Sequence, residues 1–175
     1  AACCVGLCLG LRFPHISDGL RMYDGVRRRL QVCGEQRGVL VVEDYAHHPT
    51  EIESTLEAVR WIRPSRIIVV FQPHLFSRTK FFCEQFAHVL STADRAVVTD
   101  IYPSREEPMP GVDSGMIVDA ARGLGAHNVQ LVKDMYEVPV LLAGEVKPGD
   151  VVLVLGAGNI NLIAQPLLEE LGKHP

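Results

Sequence analysis

Three short segments of this 175-residue chain concentrate chemically capable side chains. Residues 44–49 read Asp-Tyr-Ala-His-His-Pro, residues 72–78 contain His74 and Arg78, and residues 100–103 read Asp-Ile-Tyr-Pro. A guanidinium binds a carboxylate or phosphate through two parallel hydrogen bonds, and the start of a helix offers free N–H groups to an anion. Pro49 suits the first turn of such a helix, because its missing N–H group costs nothing there. The segments therefore predict an anion-binding site.

Other interpretations of these residues carry less support. The first segment could be a capped strand-to-helix turn whose histidines face solvent, and Arg78 alone could be a surface charge. Zinc binding by His47, His48 and His74 is disfavoured, because adjacent histidines usually point apart and no second pair at a spacing of three or four supports them. A serine hydrolase is disfavoured because neither serine near these segments lies in a G-x-S-x-G setting; these are Ser77 and Ser104.

The Gly-Ala-Gly sequence at residues 156–158 begins like a dinucleotide-binding fingerprint. Asn161 stands where the third glycine belongs, and no acidic residue follows about 20 positions later after another strand. We therefore interpret these glycines as allowing the last helix to pack closely on its strand, at the end of the sheet. The chain also lacks a G-x-x-x-x-G-K-[ST] motif, so it has no phosphate-binding loop of its own.

Composition excludes several classes of protein. Hydrophobic residues make up 47% of the chain, which is enough for a packed core. The net charge of −4 disfavours a general nucleic-acid binder. No apolar run approaches the roughly 20 residues that a membrane-spanning helix needs. The five cysteines form no disulfide framework, which indicates the cytoplasm. Cys3, Cys4 and Cys8 are interpreted as small buried residues of a helix rather than metal ligands.

Hydrophobic patterning predicts an α/β fold. Continuous apolar runs predict strands at residues 67–71, 96–99, 129–132 and 151–155, and a hairpin is predicted at residues 30–35 and 38–43. Helices are predicted at residues 1–11, 17–23, 51–62, 80–91, 114–123, 135–143 and 160–171. This alternation predicts a mostly parallel sheet with helices on both faces, and the hairpin adds an antiparallel edge.

Two local features refine this order. Pro14 is expected to separate the first two helices, with Ser17 as the N-cap of the second.

Residues 1–37 carry six arginines against three acidic residues, and the cluster at residues 27–29 follows an Asp24-Gly25 turn. This shift in composition predicts a domain boundary at that turn.

Five motifs of the chain resemble the C-terminal part of the Mur ligase family, in the same order, and they are most similar to its alanine-adding members. They are GVRRRLQV (25–32), EDYAHHPTEI (43–52), VVFQPHLFSRTK (69–80), DIYPSREEPMPGVDS (100–114) and GDVVLVLGAGNI (149–160). The resemblance covers essentially the whole chain and implies a Rossmann-like fold. It implies that residues 1–24 are the last helices of a central ATPase domain and residues 25–175 the C-terminal, amino-acid-presenting domain.

The resemblance also implies a function. Members of the family are cytoplasmic, three-domain ligases of peptidoglycan synthesis, in which ATP converts a substrate carboxylate to an acyl phosphate that an amine attacks. Here the substrates would be UDP-N-acetylmuramate and L-alanine. ATP and Mg²⁺ would be held mainly by the central domain, and the partners would be the protein's own N-terminal and central domains, without nucleic acid or membrane. The fragment alone would be inactive.

Roles transfer to residues that match the family motifs. Arg29 resembles the arginine that approaches the nucleotide phosphates, and Asp44 resembles the aspartate that reaches the ribose. The residues resembling those that line the site where alanine meets the muramoyl carboxylate are Tyr45, His47, His74 and Arg78. Arg78 would clamp the carboxylate of alanine, and the two histidines would hydrogen-bond developing charge or help to take up a proton.

Two departures and two alternatives accompany this resemblance. Glu43 stands where many members have a second aspartate, and Leu75 stands where many have an arginine. A recycling ligase that attaches a ready-made murein peptide shares a similar AHHPT loop, but the FQPHxxSRT segment favours the alanine-adding enzyme. The other alternative is a module that binds a nucleotide or a partner and catalyses nothing when isolated.

Overall fold

The computed structural model describes residues 1–23 and 25–173, so the predicted Asp24-Gly25 turn lies partly outside the described residues. Its strands form a six-stranded sheet in the order β1-β2-β6-β3-β4-β5. β1 runs antiparallel to β2, and all other neighbours are parallel. The strands are β1 (Gln31–Gln36), β2 (Val39–Asp44), β3 (Arg66–Phe71), β4 (Arg95–Val98), β5 (Val129–Leu131) and β6 (Asp150–Leu155). The predicted fold class, with its antiparallel hairpin edge, is confirmed.

Helices alternate with these strands along the chain. They are α1 (Ala2–Cys8), α2 (Phe13–Arg21), α3 (Pro49–Arg60), α4 (Phe76–Phe81), α5 (Cys83–Ser91), α6 (Gly115–Gly123), α7 (Val138–Ala143) and α8 (Ala164–Lys173). Short 3-10 helices at Met135–Glu137 and Ile160–Ile163 lead into α7 and α8.

Two apolar layers cover the sheet, one on each face. α3, α5 and α6 pack on one face, where Ile52 and Leu56 are fully buried, while α7 and α8 pack on the other, where Leu167 is fully buried. Each such side chain contributes about 1.5–3 kcal/mol by leaving water. Burial on both faces explains why β3 and β6 are continuously apolar instead of alternating.

The β1–β2 hairpin turns at Arg37 and Gly38, which have φ values of 54° and 71°. Two consecutive residues with positive φ match the twist of the flanking strands, and glycine adopts this conformation without strain. The turn therefore fixes the register that places Asp44 at the end of β2.

Several predicted helix limits are wrong. α2 begins at Phe13 with Pro14 in its first turn and Ser17 inside the helix, because proline is tolerated where the N–H group needs no intrahelical partner. Residues 80–91 are not one helix: α4 starts earlier, and Phe82 separates it from α5. Ile62 is 60% exposed and does not share the buried face of α3, because that helix ends at Arg60.

The first two helices pack mainly on each other, with Ile16 of α2 against Gly6 of α1. Cys4 and Cys8 are exposed and Cys3 is half-buried, so the prediction that all three are buried is wrong for this structure. Exposed apolar side chains in this part of the chain are Val5, Leu7, Leu9, Leu11, Phe13, Leu20, Met22 and Tyr23. In the described part of the chain, no helix has the length and apolar character that crossing a bilayer requires.

Candidate functional site

The strand order brings the predicted site segments together at one edge of the sheet. β6 lies between β2 and β3, so the loop at residues 156–159 adjoins both the segment after β2 and the segment after β3. β4 lies beyond β3, and Tyr102 pairs with His74 in an isolated parallel bridge. The sequence-based placement of residues 156–158 at the end of the sheet is therefore wrong, because β6 is an inner strand.

Asp44 anchors two loops at the end of β2. One carboxylate oxygen accepts a hydrogen bond from the backbone N–H of Leu30 at 2.7 Å, and the other accepts from Ala46 at 2.8 Å. Its backbone carbonyl accepts from the N–H of Gly156 at 3.2 Å. Only 6% of the residue is exposed. These bonds therefore lie where competition from water is weak.

Arg28 connects the segment before β1 to the loop after β6. Its guanidinium donates to the carbonyl oxygens of Gly156 and Gly158, at 2.5 and 3.0 Å. Its own carbonyl accepts from the N–H of Tyr45 at 2.8 Å, and its guanidinium lies 4.9 Å from the centre of the Tyr45 ring. Sequence reasoning missed this role, because nothing in a run of three arginines marks the one that turns inward.

Arg29 takes a different position from its neighbour. It is exposed, and its guanidinium lies 5.7 Å from the centre of the Tyr45 ring. Arg28 and Arg29 thus both contact Tyr45, and Arg29 keeps its donors available to an anion outside the fold.

A capping box starts α3. The ring of His48 accepts from the N–H of Thr50 at 3.3 Å. Glu51 accepts from the backbone N–H groups of His47 and His48, at 3.0 and 3.2 Å. Pro49 occupies the first turn, as the sequence predicts. His48 also packs against Phe82 at a centroid distance of 4.5 Å, so its ring belongs to the cap.

His47 points toward the cluster of site residues. Its Nδ1 lies 2.9 Å from the carbonyl oxygen of Tyr45 and 3.3 Å from a carboxylate oxygen of Glu51. Its ring centre is 6.0 Å from that of His74. Burial alone would raise the pKa of Glu51, but the backbone N–H and charge of His47, with smaller contributions from His48 and Arg29, lower it overall.

His74 and Arg78 form the second half of the cluster. Nη1 of Arg78 lies 3.4 Å from Nδ1 of His74, whose ring stacks on Tyr102 at a centroid distance of 5.7 Å. The pKa of His74 is lowered, first by burial and then by the positive charges of Arg78 and His47, while Glu106 opposes the shift. These causes favour the neutral imidazole at neutral pH.

Leu75, one of the departures from the family pattern, has a strained backbone. Its φ is 73°. Residues other than glycine rarely adopt this conformation. Its N–H donates to the carbonyl of Tyr102 at 3.0 Å, and its carbonyl accepts from the hydroxyl of Thr79 at 2.8 Å. These bonds hold the sharp change of direction that places His74 at the edge of the sheet and Arg78 on α4.

Glu43, the other departure, is 8% exposed. Burial raises its pKa, and the charge of Arg28 partly offsets that effect. The longer acidic side chain is therefore accommodated in the interior beside the arginine that joins the loops.

Gln72 ties the loop after β6 to the end of β3. Its side-chain amide donates to Asn159 at 2.9 Å and accepts from the N–H of Ile160 at 3.2 Å. A Cβ atom on Gly158 would overlap Oε1 of Gln72 and lie 2.6 Å from Cγ of Tyr102. The glycine therefore allows close packing between loops, not mainly between the last helix and its strand.

Glu106 holds the segment after β4 against α4. Its carboxylate accepts from the Ser77 hydroxyl and from the backbone N–H of Ser77 at 2.9 Å, and these hydrogen bonds lower its pKa. A cavity of about 560 Å³ opens beside this segment, with Asp100, Tyr102 and Asn159 in its lining. The edge of the sheet thus leaves room for a small ligand next to the cluster.

The three histidines proposed for the zinc alternative do not converge. His47 and His74 lie 6.0 Å apart between ring centres, and His48 faces Phe82. Within residues 1–23 and 25–173, no group of three or more His, Cys, Asp or Glu side chains is arranged to hold a metal ion.

A sequence profile described as "Mur ligase, glutamate ligase domain" matches residues 28–158. The chain belongs to the Mur ligase family. This Mur ligase domain is 47% identical over 175 residues to the UDP-N-acetylmuramate–L-alanine ligase of Streptomyces avermitilis. The match covers 99% of the chain and 38% of that relative, so the chain spans less than two-fifths of the enzyme that it resembles.

Solved structures agree with this assignment. The crystal structure of the UDP-N-acetylmuramate–alanine ligase of Thermotoga maritima is 27% identical, with a TM-score of 0.81 over 98% of this chain and 36% of that one. The MurF ligase of Thermotoga maritima, solved in complex with ADP, is 26% identical, with a TM-score of 0.67 over 98% and 37%. The Mur ligase domain therefore has the fold of these enzymes, and the second relative binds a nucleotide.

The structure brings the sequence-predicted residues of this Mur ligase domain into two groups. Tyr45, His47, His74 and Arg78 form one chain of contacts, while Arg29 lies against the Tyr45 ring and Asp44 binds the backbone of Leu30, just before β1. Four further residues, to which the sequence analysis assigned no role of their own, hold these groups in place: Arg28, Glu51, Gln72 and Tyr102.

Proposed function

We propose that the full-length protein containing this chain is an ATP-dependent ligase that joins L-alanine to UDP-N-acetylmuramate in peptidoglycan synthesis. The observation that carries the proposal is the 47% identity to a ligase of that name along 99% of the chain. The proposal places the reaction in the cytoplasm, where ATP and UDP-sugars are made. ATP would convert the muramoyl carboxylate to an acyl phosphate, and the amine of alanine would displace phosphate.

In this proposal the chain contains residues of two domains. Residues 1–24 would complete the central ATPase domain, and residues 25–175 would form the C-terminal domain. The exposed apolar side chains of α1 and α2, such as Leu7 and Phe13, support this division, because a surface of this kind is typical of a packing interface. The N-terminal and central domains would be the chain's main partners.

Arg78 would bind the carboxylate of L-alanine. It lies half-buried beside His74, and its donors have the fork geometry that suits a carboxylate. Because His74 is kept neutral by burial and by Arg78, it would donate a hydrogen bond to the same substrate or to the developing oxyanion.

Tyr45 and His47 would border the reacting amine. The backbone carbonyl of Tyr45 orients His47, and its ring packs edge-on against the imidazole at a centroid distance of 5.3 Å. The amine nitrogen would form a bond to the acyl carbon, the C–O bond to phosphate would break, and phosphate would leave with that electron pair.

Nucleotide contacts from this chain would be few. Arg29 has the exposure and charge to approach the phosphates, and Mg²⁺, held by central-domain residues, would neutralise phosphate charge when bound. Asp44 fits its expected contact with the ribose less well, because both of its carboxylate oxygens already accept backbone N–H groups. The isolated fragment, without a phosphate-binding loop, would be inactive.

A murein-peptide ligase is the alternative within the family. The two activities differ in the acceptor, which is a single amino acid in one case and a peptide in the other. The 47% identity to an alanine ligase favours the first. The alternative predicts that a tripeptide replaces L-alanine as the required substrate.

The proposal is tested by product analysis with the full-length protein. Incubation with UDP-N-acetylmuramate, ATP, Mg²⁺ and a panel of amino acids should give a product whose mass has increased by one alanine residue. A protein that forms no such product, while a murein tripeptide is incorporated, would contradict the proposal.

A further inference from the structure

The hydrogen bonds around His47 determine which of its nitrogens carries the proton. Nδ1 faces two groups that only accept, the carbonyl of Tyr45 at 2.9 Å and the carboxylate of Glu51 at 3.3 Å. Nδ1 must therefore be the protonated nitrogen of the neutral ring. Nε2 is then an acceptor, and no residue in the described part of the chain forms a hydrogen bond to it.

His74 has the opposite arrangement. Arg78 can only donate, and its Nη1 lies 3.4 Å from Nδ1 of His74. This contact requires Nδ1 to accept, so Nε2 of His74 carries the proton of the neutral ring. The Nε2 atoms of the two imidazoles therefore have opposite hydrogen-bonding roles. Nε2 of His47 has a lone pair that accepts a hydrogen bond, and Nε2 of His74 has an N–H group that donates one.

We propose that Glu51 is a positioning residue, which holds the proton of His47 on Nδ1 so that Nε2 accepts a proton from the amine of the incoming amino acid. This inference rests on the proposed function. Glu51 is suited to the task because one carboxylate oxygen contacts Nδ1 and also accepts the backbone N–H groups of His47 and His48. The carboxylate thus fixes both the backbone and the ring of His47.

The proton transfer balances without an additional reagent. The ammonium group of the amino acid loses a proton to Nε2, so one N–H bond breaks on the substrate and one forms on His47. The electron pair freed on the amine nitrogen then attacks the acyl carbon. As the C–O bond to phosphate breaks, the second N–H proton passes to the departing phosphate, so the amide nitrogen keeps one hydrogen and hydrogen phosphate leaves. The imidazolium that results is paired with the negative charge of Glu51 and later returns its proton to solvent.

Other charged groups also lie around His47. His74 approaches from the segment after β3, with Arg78 behind it on α4. Arg28 and Arg29 approach through the Tyr45 ring, and Glu106 approaches through His74. Because all of these groups are unchanged in a Glu51 variant, a difference between variant and wild type reports on Glu51 alone.

Glu51→Gln in the full-length protein is the test, because glutamine also serves in a capping box and keeps α3 capped while it removes the charge. We expect kcat with L-alanine to fall about ten-fold, a part of the roughly 10²–10⁴-fold that a positioned acid–base group supplies. KM for L-alanine should change less than two-fold, and the acidic limb of the pH profile should move to lower pH. Glu53→Gln, the same change at an exposed position of α3, is the matched control and should behave as wild type.

A readout independent of turnover is the ¹⁵N chemical shift of the His47 ring. We expect the wild type to show the tautomer protonated on Nδ1 and Glu51→Gln to show a mixture. An unchanged kcat and pH profile in Glu51→Gln, or a wild-type His47 protonated on Nε2, would overturn the inference. Absence of alanine-dependent turnover in the wild type would instead contradict the proposed function, and the ¹⁵N measurement would still decide the role of Glu51.

Discussion

Nη2 of Arg28 lies 2.5 Å from the carbonyl oxygen of Gly156, a residue 128 positions later in the chain. This hydrogen bond joins the segment before β1 to the loop that follows β6. Because Arg28 also contacts Tyr45, the segment before β1 is connected directly to the candidate site. A change at this junction is therefore expected to affect both stability and substrate use.

Replacing Arg28 with methionine tests this connection. Methionine keeps an unbranched side chain but removes the donors to Gly156 and Gly158. We expect the free energy of unfolding to fall by about 1.5–3 kcal/mol, the range for hydrogen bonds to a charged group. Urea unfolding of the two proteins measures the difference.

Arg27→Met is the control for this change, because Arg27 is exposed and next in sequence. It should alter the free energy of unfolding by less than about 0.5 kcal/mol, as surface substitutions usually do. Equal losses in both variants would refute the special role of Arg28.

Gly158→Ala is expected to disturb the packing between loops. The added Cβ would overlap Oε1 of Gln72 and lie 2.8 Å from Cβ of Tyr102, so at least one of these residues must move. We expect a loss of about 1–3 kcal/mol in the free energy of unfolding, which is typical of overpacking. Gly19→Ala is the control, because its added Cβ would meet no side chain or other element within 4 Å beyond its own chain neighbours. Alanine also favours the helix interior. An unchanged free energy of unfolding in Gly158→Ala would contradict this prediction, because it would mean that the loops accommodate the added methyl group.

Sequence reasoning succeeded where one local physical cause dominates. The apolar runs of β3 and β6 identify these segments as strands, because both of their faces are buried. Pro49 marks the start of α3, because the first helical turn needs no N–H donor. It failed where the outcome depends on tertiary contacts. The insertion of β6 between β2 and β3 is set by the packing of the whole sheet.

The residues that hold the site in place could not be predicted either, because their roles also depend on tertiary contacts. Arg28 is indistinguishable from its neighbours in sequence, and the contacts of Gln72 exist only because β6 lies beside β3 in the sheet. The helix break at Phe82 was also missed, since the strained turn at Leu75 starts α4 before the apolar pattern of α5 begins. The candidate residues themselves were found because they follow strand ends, where ligands bind in α/β sheets.

His74 should make stability depend on pH. Its pKa is lowered from 6.5 by burial and by the charges of Arg78 and His47, so the unfolded state binds more protons than the folded state as the pH falls through that value. The free energy of unfolding of the wild type should therefore fall more steeply than that of His74→Asn between about pH 7.5 and pH 5.5. Urea titrations across this range measure both slopes. Parallel slopes would show that folding does not change the protonation of His74.

Arg78→Ala should mainly impair the use of L-alanine. Each lost charge-assisted hydrogen bond costs about 1.5–3 kcal/mol, so KM for L-alanine should rise at least about ten-fold while KM for ATP stays nearly constant. Steady-state kinetics with the full-length protein measure this, and Lys80→Ala, an exposed position of the same helix, is the control. An unchanged KM for L-alanine in Arg78→Ala would remove Arg78 from the carboxylate site.

The most direct test of the proposed activity is phosphate release by the full-length protein with ATP, Mg²⁺ and UDP-N-acetylmuramate. L-alanine or a murein tripeptide is supplied as the acceptor at equal concentration. We predict that phosphate release depends on L-alanine, with one phosphate formed for each UDP-N-acetylmuramoyl-L-alanine produced, and that the tripeptide gives only background release. Release that requires the tripeptide and ignores L-alanine would contradict the proposal.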